Sequence, residues 1–168
     1  MVQENCLTCG AKDKVVVVCG ATASGKTSLA VKIARKFGGE VVSADSVSIY
    51  RGLDIGSAKP SDEEKQGVPH YMIDIVSPKE NFSVGDYRER ALPIVRDIVK
   101  RGKIPVICGG TGFYINSVLY NMSYGNAKGD FAIRLKYERL AEEQGKDAVY
   151  SVLKEKDPET AKKLHPND

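Results

Sequence analysis

Eight residues near the N-terminus, Gly20-Ala21-Thr22-Ala23-Ser24-Gly25-Lys26-Thr27, have the types and spacing needed to hold phosphate. They read G-x-x-x-x-G-K-[ST]. Glycines at the first and sixth positions let the backbone turn so that its amides converge on an anion. The helix that follows adds the positive end of its dipole. Lys26 brings a mobile positive charge to the outer phosphate oxygens, and the Thr27 hydroxyl is a ligand for Mg²⁺. An apolar run, Val15 to Cys19, precedes the loop, and a helical pattern, Ser28 to Ala34, follows it. Strand, glycine loop and helix form the context this chemistry requires.

Two further residues could carry chemistry. Asp45 follows the apolar run Glu40 to Ala44 and is flanked by Ser43, Ser46 and Ser48. A carboxylate there can take a proton or hold a metal-bound water, and it can equally cap the next turn. Thr111 lies in Gly109-Gly110-Thr111-Gly112, after another apolar run. It can donate a hydrogen bond to a leaving oxygen or cap a helix. Arg51, Lys59 and Arg134 could meet nucleic-acid phosphates, though each taken singly reads as a surface charge. Tyr50, Phe113 and Tyr114 could stack on a base, with packing against the sheet the expectation for Phe113 and also a reading for Tyr114. His70 reads as structural. Cys6-Leu7-Thr8-Cys9 is half a zinc knuckle without its second pair, and Cys19 and Cys108 read as small buried hydrophobes.

These residues need a frame. Apolar runs at Val15–Cys19, Glu40–Ala44, Tyr71–Val76 and Ile104–Cys108 predict strands. Helical patterns from Lys26 to Phe37, Ser83 to Arg101 and Phe113 to Leu119 separate or follow them. Gly38-Gly39 stops the first helix. Ser83 and Asp86 form a capping box for the second, Phe82 is placed to staple onto Tyr87, and Pro93 is expected to kink it. Tyr50 to Gln66, with its glycines, proline and charges, reads as a long surface connection. Short apolar strands with helical crossovers predict a parallel sheet covered by helices on both faces. Ligands bind such sheets beyond the carboxyl ends of the strands, where the phosphate loop, Asp45 and Thr111 all fall. From Asp130 the texture becomes helical: one amphipathic helix to Gly145, a second over Asp147–Lys154, and a third starting at Asp157-Pro158. The expected organisation is a leader over 1–13, an α/β core over 14–125 and the start of a helical domain over 126–168.

At 168 residues, 42% hydrophobic and 28% charged, the chain can bury a core and is not compositionally disordered. Its formal net charge of +3 is compatible with a polyanionic partner. No run reaches the ~18 apolar residues of a membrane span, and no signal peptide is read, so a cytoplasmic protein is expected.

Taken together, GATASGKTSLA, VVSADSVSIYRGLDIGSAKP, GVPHYMIDI, FSVGDYRERA, GKIPVICGGTGFYI and DPETAKKLHPND resemble the tRNA dimethylallyltransferase (tRNA isopentenyltransferase) family. The resemblance runs in family order from Lys14 to Asp168. It implies a P-loop NTPase-like α/β fold with part of an inserted helical tRNA-binding domain. It also implies transfer of a dimethylallyl group from dimethylallyl diphosphate to N6 of an adenosine beside the tRNA anticodon. By it, Gly20 to Thr27 hold the diphosphate, Thr27 binds Mg²⁺, Asp45 is the general base, and Thr111 positions the reacting groups. Asp45, Ser46, Val47, Ser48 and Thr111 would meet the target nucleotide, and Arg134 the tRNA. Ala21 replaces the family's usual proline, and Val47-Ser48 its frequent Met-Gln. The family continues beyond HPND with a basic stretch and a diphosphate-binding arginine, so the chain is expected to be the N-terminal portion of a longer, monomeric protein, weak or inactive alone. A small-molecule kinase on the same fold would want an arginine-rich lid, and an adenylate isopentenyltransferase would not need tRNA.

Overall fold

A computed structural model describes residues 14–120 and 130–167. The expected leader, with Cys6 and Cys9, and the expected junction at 125/126 lie outside the described residues. The chain divides into two compact units, residues 1–124 and 125–168.

The first unit is built on four strands, β1 (Val16–Cys19), β2 (Glu40–Ser43), β3 (His70–Tyr71) and β4 (Pro105–Gly109). All pairs are parallel, in the order β1-β4-β2-β3. Successive side chains of a strand point to opposite faces, and the core follows that alternation. Val41 and Val106 join Val18 on one face, under Ala30, Val31 and Ala34 of α1 (Lys26–Phe37). Val42 and Ile107 face the other way. There they meet Tyr87, Ala91, Val95 and Ile98 of α3 (Val84–Lys100) and Tyr114, Ile115 and Val118 of α4 (Gly112–Leu119).

The stop and start signals act as their chemistry dictates. Gly38 ends α1 in the left-handed conformation, φ 67°. Ser83 accepts from the Asp86 amide at 3.2 Å, and the Asp86 carboxylate accepts from the Ser83 amide at 2.8 Å, which starts α3. The helix then continues through Pro93. That ring and Glu89, four residues earlier, are exposed, so water can satisfy the carbonyl that proline leaves without a donor.

Three expectations change. The third strand stops at Tyr71 because Met72 and Asp74 adopt positive φ, 63° and 55°. Pairing resumes only as a single bridge between Tyr50 and Val76. The Tyr50–Gln66 connection is not merely a surface loop: it contains α2 (Asp62–Lys65) and the buried Ser57. Cys19 is exposed, since it ends an edge strand just before the chain turns into the glycine loop.

The second unit holds α5 (Phe131–Gln144), α6 (Lys146–Lys156) and α7 (Pro158–Ala161). Asp130 caps α5 through its amides at 132 and 133, and Asp157 caps α7 through the Thr160 amide with Pro158 at the first position. The Tyr150 hydroxyl donates to the Ala161 carbonyl at 2.8 Å, tying α6 to α7. Among the described residues no helix is long and apolar enough to cross a membrane.

Candidate active site

The site forms where three adjacent strands end. β4 lies between β1 and β2, with Gly109 opposite Cys19 and Cys108 opposite Ser43. The phosphate loop leaves β1 and the Asp45 turn leaves β2. Two strand spacings, roughly 10 Å in all, therefore separate the loop from the carboxylate.

Gly109 makes that convergence possible. A Cβ there would stand 2.2 Å from the Ala44 carbonyl oxygen. The close approach lets the Thr111 amide donate to that same carbonyl at 3.0 Å. The Thr111 hydroxyl oxygen then accepts from the Ser46 amide at 3.1 Å, and Thr111 makes no side-chain cap on α4. Of its two sequence readings, the structure turns the side chain toward the Asp45 turn. Asp45 does cap locally, because its Oδ1 accepts from the Val47 and Ser48 amides at 2.8 and 3.1 Å. Both bonds fall on one oxygen, which leaves the other for chemistry.

On the opposite wall, Gly25 starts α1 at φ 80°, and Ala23 shares the left-handed region at φ 62°. Ser24 Oγ donates to the Ala21 carbonyl at 2.7 Å, and Lys26 Nζ donates to the same oxygen. Lys26 is thus folded back over its own loop, as a cation does that can exchange a carbonyl for a phosphate.

A cleft of about 390 Å³ runs between these walls. Thr22, Lys26, Thr27, Asp45, Ser48 and Cys108 line it. Burial pushes the Cys108 thiol up. Gly20 and Ala21 belong to the same loop, Ser46 and Val47 are exposed on the Asp45 turn, and Thr111 is half-buried behind it. Among the described residues no cluster of three or more His, Cys, Asp or Glu side chains is built for a metal ion. A cation at this cleft would have to share its oxygens with a bound phosphate.

Several residues differ from their sequence reading. Of the two readings of Tyr114, packing is the one observed: it is buried and stacked on Tyr87, centroids 4.0 Å apart at 7°, and is no platform for a base. Phe113 is 72% exposed, because the first turn of α4 aims Tyr114 and Ile115 inward and leaves Phe113 outside. Lys59 is no surface charge. Its side chain is 8% exposed and donates to Asp54 at 2.8 Å, Asp74 at 2.5 Å and the Tyr50 carbonyl at 2.6 Å. Burial lowers its pKa, but the two carboxylates outweigh that and hold it raised. Arg51 stays exposed, as a surface charge does, while its Nε donates to the Asp74 carbonyl at 2.8 Å.

His70 has more than a plain structural setting. Its Nδ1 donates to the Val68 carbonyl at 2.8 Å, so Nε2 is an acceptor, buried without a partner beside the cleft. Burial pushes its pKa down, which favours the neutral ring. Neither Lys59 nor His70 could be found from spacing. The DIGSAKP and VPH segments were the only signals.

In the second unit, the Arg134 side chain is 75% exposed and lies 3.8 Å from Glu138. It borders a cleft of about 610 Å³ together with Tyr137, Lys146, Tyr150 and His165.

Residues 48–168 match the family model described as IPP transferase. The chain belongs to the IPP transferase family. It is 54% identical over 155 residues to the tRNA dimethylallyltransferase of Caldanaerobacter subterraneus subsp. tengcongensis, covering 92% of this chain and 49% of that protein. Two solved structures share this IPP transferase fold. The full-length tRNA isopentenylpyrophosphate transferase of Bacillus halodurans aligns with TM-score 0.67 at 42% identity, over 94% of this chain and 52% of its own. A eukaryotic dimethylallyltransferase acting on tRNA aligns with TM-score 0.79 at 32% identity, over 93% and 39%. The chain spans about half the length of the curated relatives it matches. The expected P-loop NTPase-like parallel sheet with flanking helices is the fold observed.

Proposed function

We propose that the full-length protein transfers a dimethylallyl group from dimethylallyl diphosphate to N6 of an adenosine adjacent to a tRNA anticodon. The observation that carries this reading is the union of the Asp45 turn with the end of β4. It is made by the bond from the Ser46 amide to Thr111 and faces the phosphate loop across one cleft.

The parts divide the work. Gly20 to Thr27 receive the diphosphate, with Lys26 leaving the Ala21 carbonyl to meet phosphate oxygen. The N6 amine attacks the allylic carbon as the C–O bond to diphosphate breaks. Its proton passes to Asp45, because an exocyclic amine is a poor nucleophile until a proton can leave. Thr111 and the Ser46 amide fix the turn that carries this carboxylate. The oxygen donors of the loop fit Mg²⁺: the Thr27 hydroxyl would hold it, with substrate phosphates and water completing the shell. When bound, it neutralises charge on the departing diphosphate. Ser46, Val47 and Ser48 border the space for the adenine, which must be extruded from its stacked loop to arrive there. Residues 126–168 begin the helical domain that grips the anticodon stem, with Arg134 meeting its phosphates. A monomer working on tRNA in the cytoplasm completes the reading.

The test is transfer of labelled dimethylallyl from its diphosphate to tRNA by the full-length protein, with Mg²⁺. Incorporation into N6 of the target adenosine, abolished by Asp45→Ala, is the expected result. Phosphoryl transfer from ATP to a small molecule, with no prenyl incorporation, would overturn the reading in favour of a kinase.

A further inference from the structure

We infer that Lys59 is a positioning residue for the Asp45 turn, acting through Asp74 across a continuous chain of hydrogen bonds. The chain has three links. Lys59 Nζ donates to Asp74 Oδ1 at 2.5 Å, the Asp74 amide donates to the Ser48 carbonyl at 3.1 Å, and the Ser48 amide donates to Asp45 Oδ1 at 3.1 Å.

Each link has a reason to be where it is. Asp74 sits at φ 55°, a conformation that side chains other than glycine hold only when their surroundings impose it. Lys59 grips its carboxylate while Arg51 Nε grips its carbonyl at 2.8 Å. The peptide is thereby held from both sides. With Asp74 fixed, the Ile75 amide donates to the Ile49 carbonyl at 2.8 Å and the Arg51 amide to the Val76 carbonyl at 2.8 Å. Residues 48–51 and 74–76 thus run as a short parallel ribbon, and Asp45 hangs from its near end. All three Nζ protons of Lys59 are spent, on Asp54, Asp74 and the Tyr50 carbonyl. The ammonium is therefore a bracket in the wall of the cleft, and the phosphate loop on β1 and α1 does not depend on it.

That independence gives the test. The catalytic arm rests on the prenyl-transfer reading, and the second arm does not. In the full-length protein, well below its unfolding temperature, Lys59→Met is expected to lower kcat by about 10- to 100-fold, the range for a displaced catalytic group. KM for dimethylallyl diphosphate should stay within about twofold, since uniform binding is untouched. Asp74→Asn keeps the residue's tolerance of left-handed backbone and removes only the charge partner. It should give a similar loss, and the double variant should be no worse than Lys59→Met, as residues of one network are non-additive. An unchanged kcat, a donor KM raised as much as kcat falls, or additive losses would each overturn the proposal. Amide hydrogen exchange on the present chain reads the same clamp without catalysis. Lys59→Met should speed exchange about tenfold or more at Arg51, Asp74 and Ile75 and leave Ile107 in β4 unchanged. Unchanged exchange at those amides overturns the clamp even in an active enzyme. Altered exchange in a protein that transfers no prenyl group upholds the clamp and sinks the proposed function instead.

Discussion

Replacing Glu40 by glutamine measures how firmly the strand that delivers Asp45 is anchored. Glu40 opens β2 and is 2% exposed. Arg101 grips both its oxygens, at 2.6 and 2.7 Å, Lys103 binds at 2.7 Å and the Tyr71 hydroxyl at 2.9 Å. The Arg101 hydrogen bonds lead in holding its pKa down, from 4.5 to about 2, against the opposing effect of burial. At about 1.36 kcal/mol per pKa unit, that drop is worth roughly 3 kcal/mol of folding stability. The partners reach solvent, with Arg101 36% and Lys103 45% exposed, so screening trims the figure toward about 2 kcal/mol. Because the folded pKa is depressed, the contribution is complete above the unfolded value of 4.5 and vanishes as pH falls through about 2. The assay is urea unfolding of wild type and Glu40→Gln, followed by the near-ultraviolet signal of the buried Tyr87–Tyr114 stack. At pH 7 the variant should be less stable by about 2–3 kcal/mol, and the gap should close between pH 4.5 and 2. A gap that persists undiminished at pH 2 refutes the ionic account and leaves only shape. Equal stability at pH 7 refutes the anchor altogether.

Gly109→Ala should destabilise the first unit by about 1–3 kcal/mol, as overpacking against backbone does, because its Cβ would meet the Ala44 carbonyl at 2.2 Å; a wild-type melting temperature would show that the close approach is dispensable. Thr111→Val preserves volume and strips the acceptor from the Ser46 amide. Transfer by the full-length protein should fall about tenfold or more with donor affinity retained, and unchanged turnover would remove Thr111 from the site. Ser83→Ala should cost about 1 kcal/mol by urea unfolding, by loss of the α3 cap. Asp45→Asn should keep its turn, since the amide oxygen still accepts from Val47 and Ser48, yet lose transfer by about 100-fold or more; retained activity would end its role as base.

What could be read from the sequence was whatever short-range chemistry decides. The phosphate loop, the Ser83 capping box, the Gly38 stop and the Asp157-Pro158 start each depend on a few neighbouring residues, and each is in place. Asp45 and Thr111 could be placed at strand ends, but the bond from the Ser46 amide to Thr111 that joins their two turns could not. It exists because β4 inserts between β1 and β2, and strand order is not written in local pattern. Charged and aromatic residues were read least well, for the same reason. Arg51 and Lys59 look alike in sequence to any solvated cation. Lys59 is buried and Arg51 is held at the surface because Asp74, on a segment distant in sequence, leaves the strand at positive φ and presents its carboxylate to the one and its carbonyl to the other. Phe113 and Tyr114 are adjacent, and one step around a helix puts one in solvent and the other on Tyr87. Periodicity names the face of a helix only when its start is known. Here the start is set by Thr111, whose own position follows from Gly109 against Ala44. Gly109 is thus a lever longer than its size: without that close approach the Thr111 bond, the first turn of α4 and the turn bearing Asp45 lose their common reference.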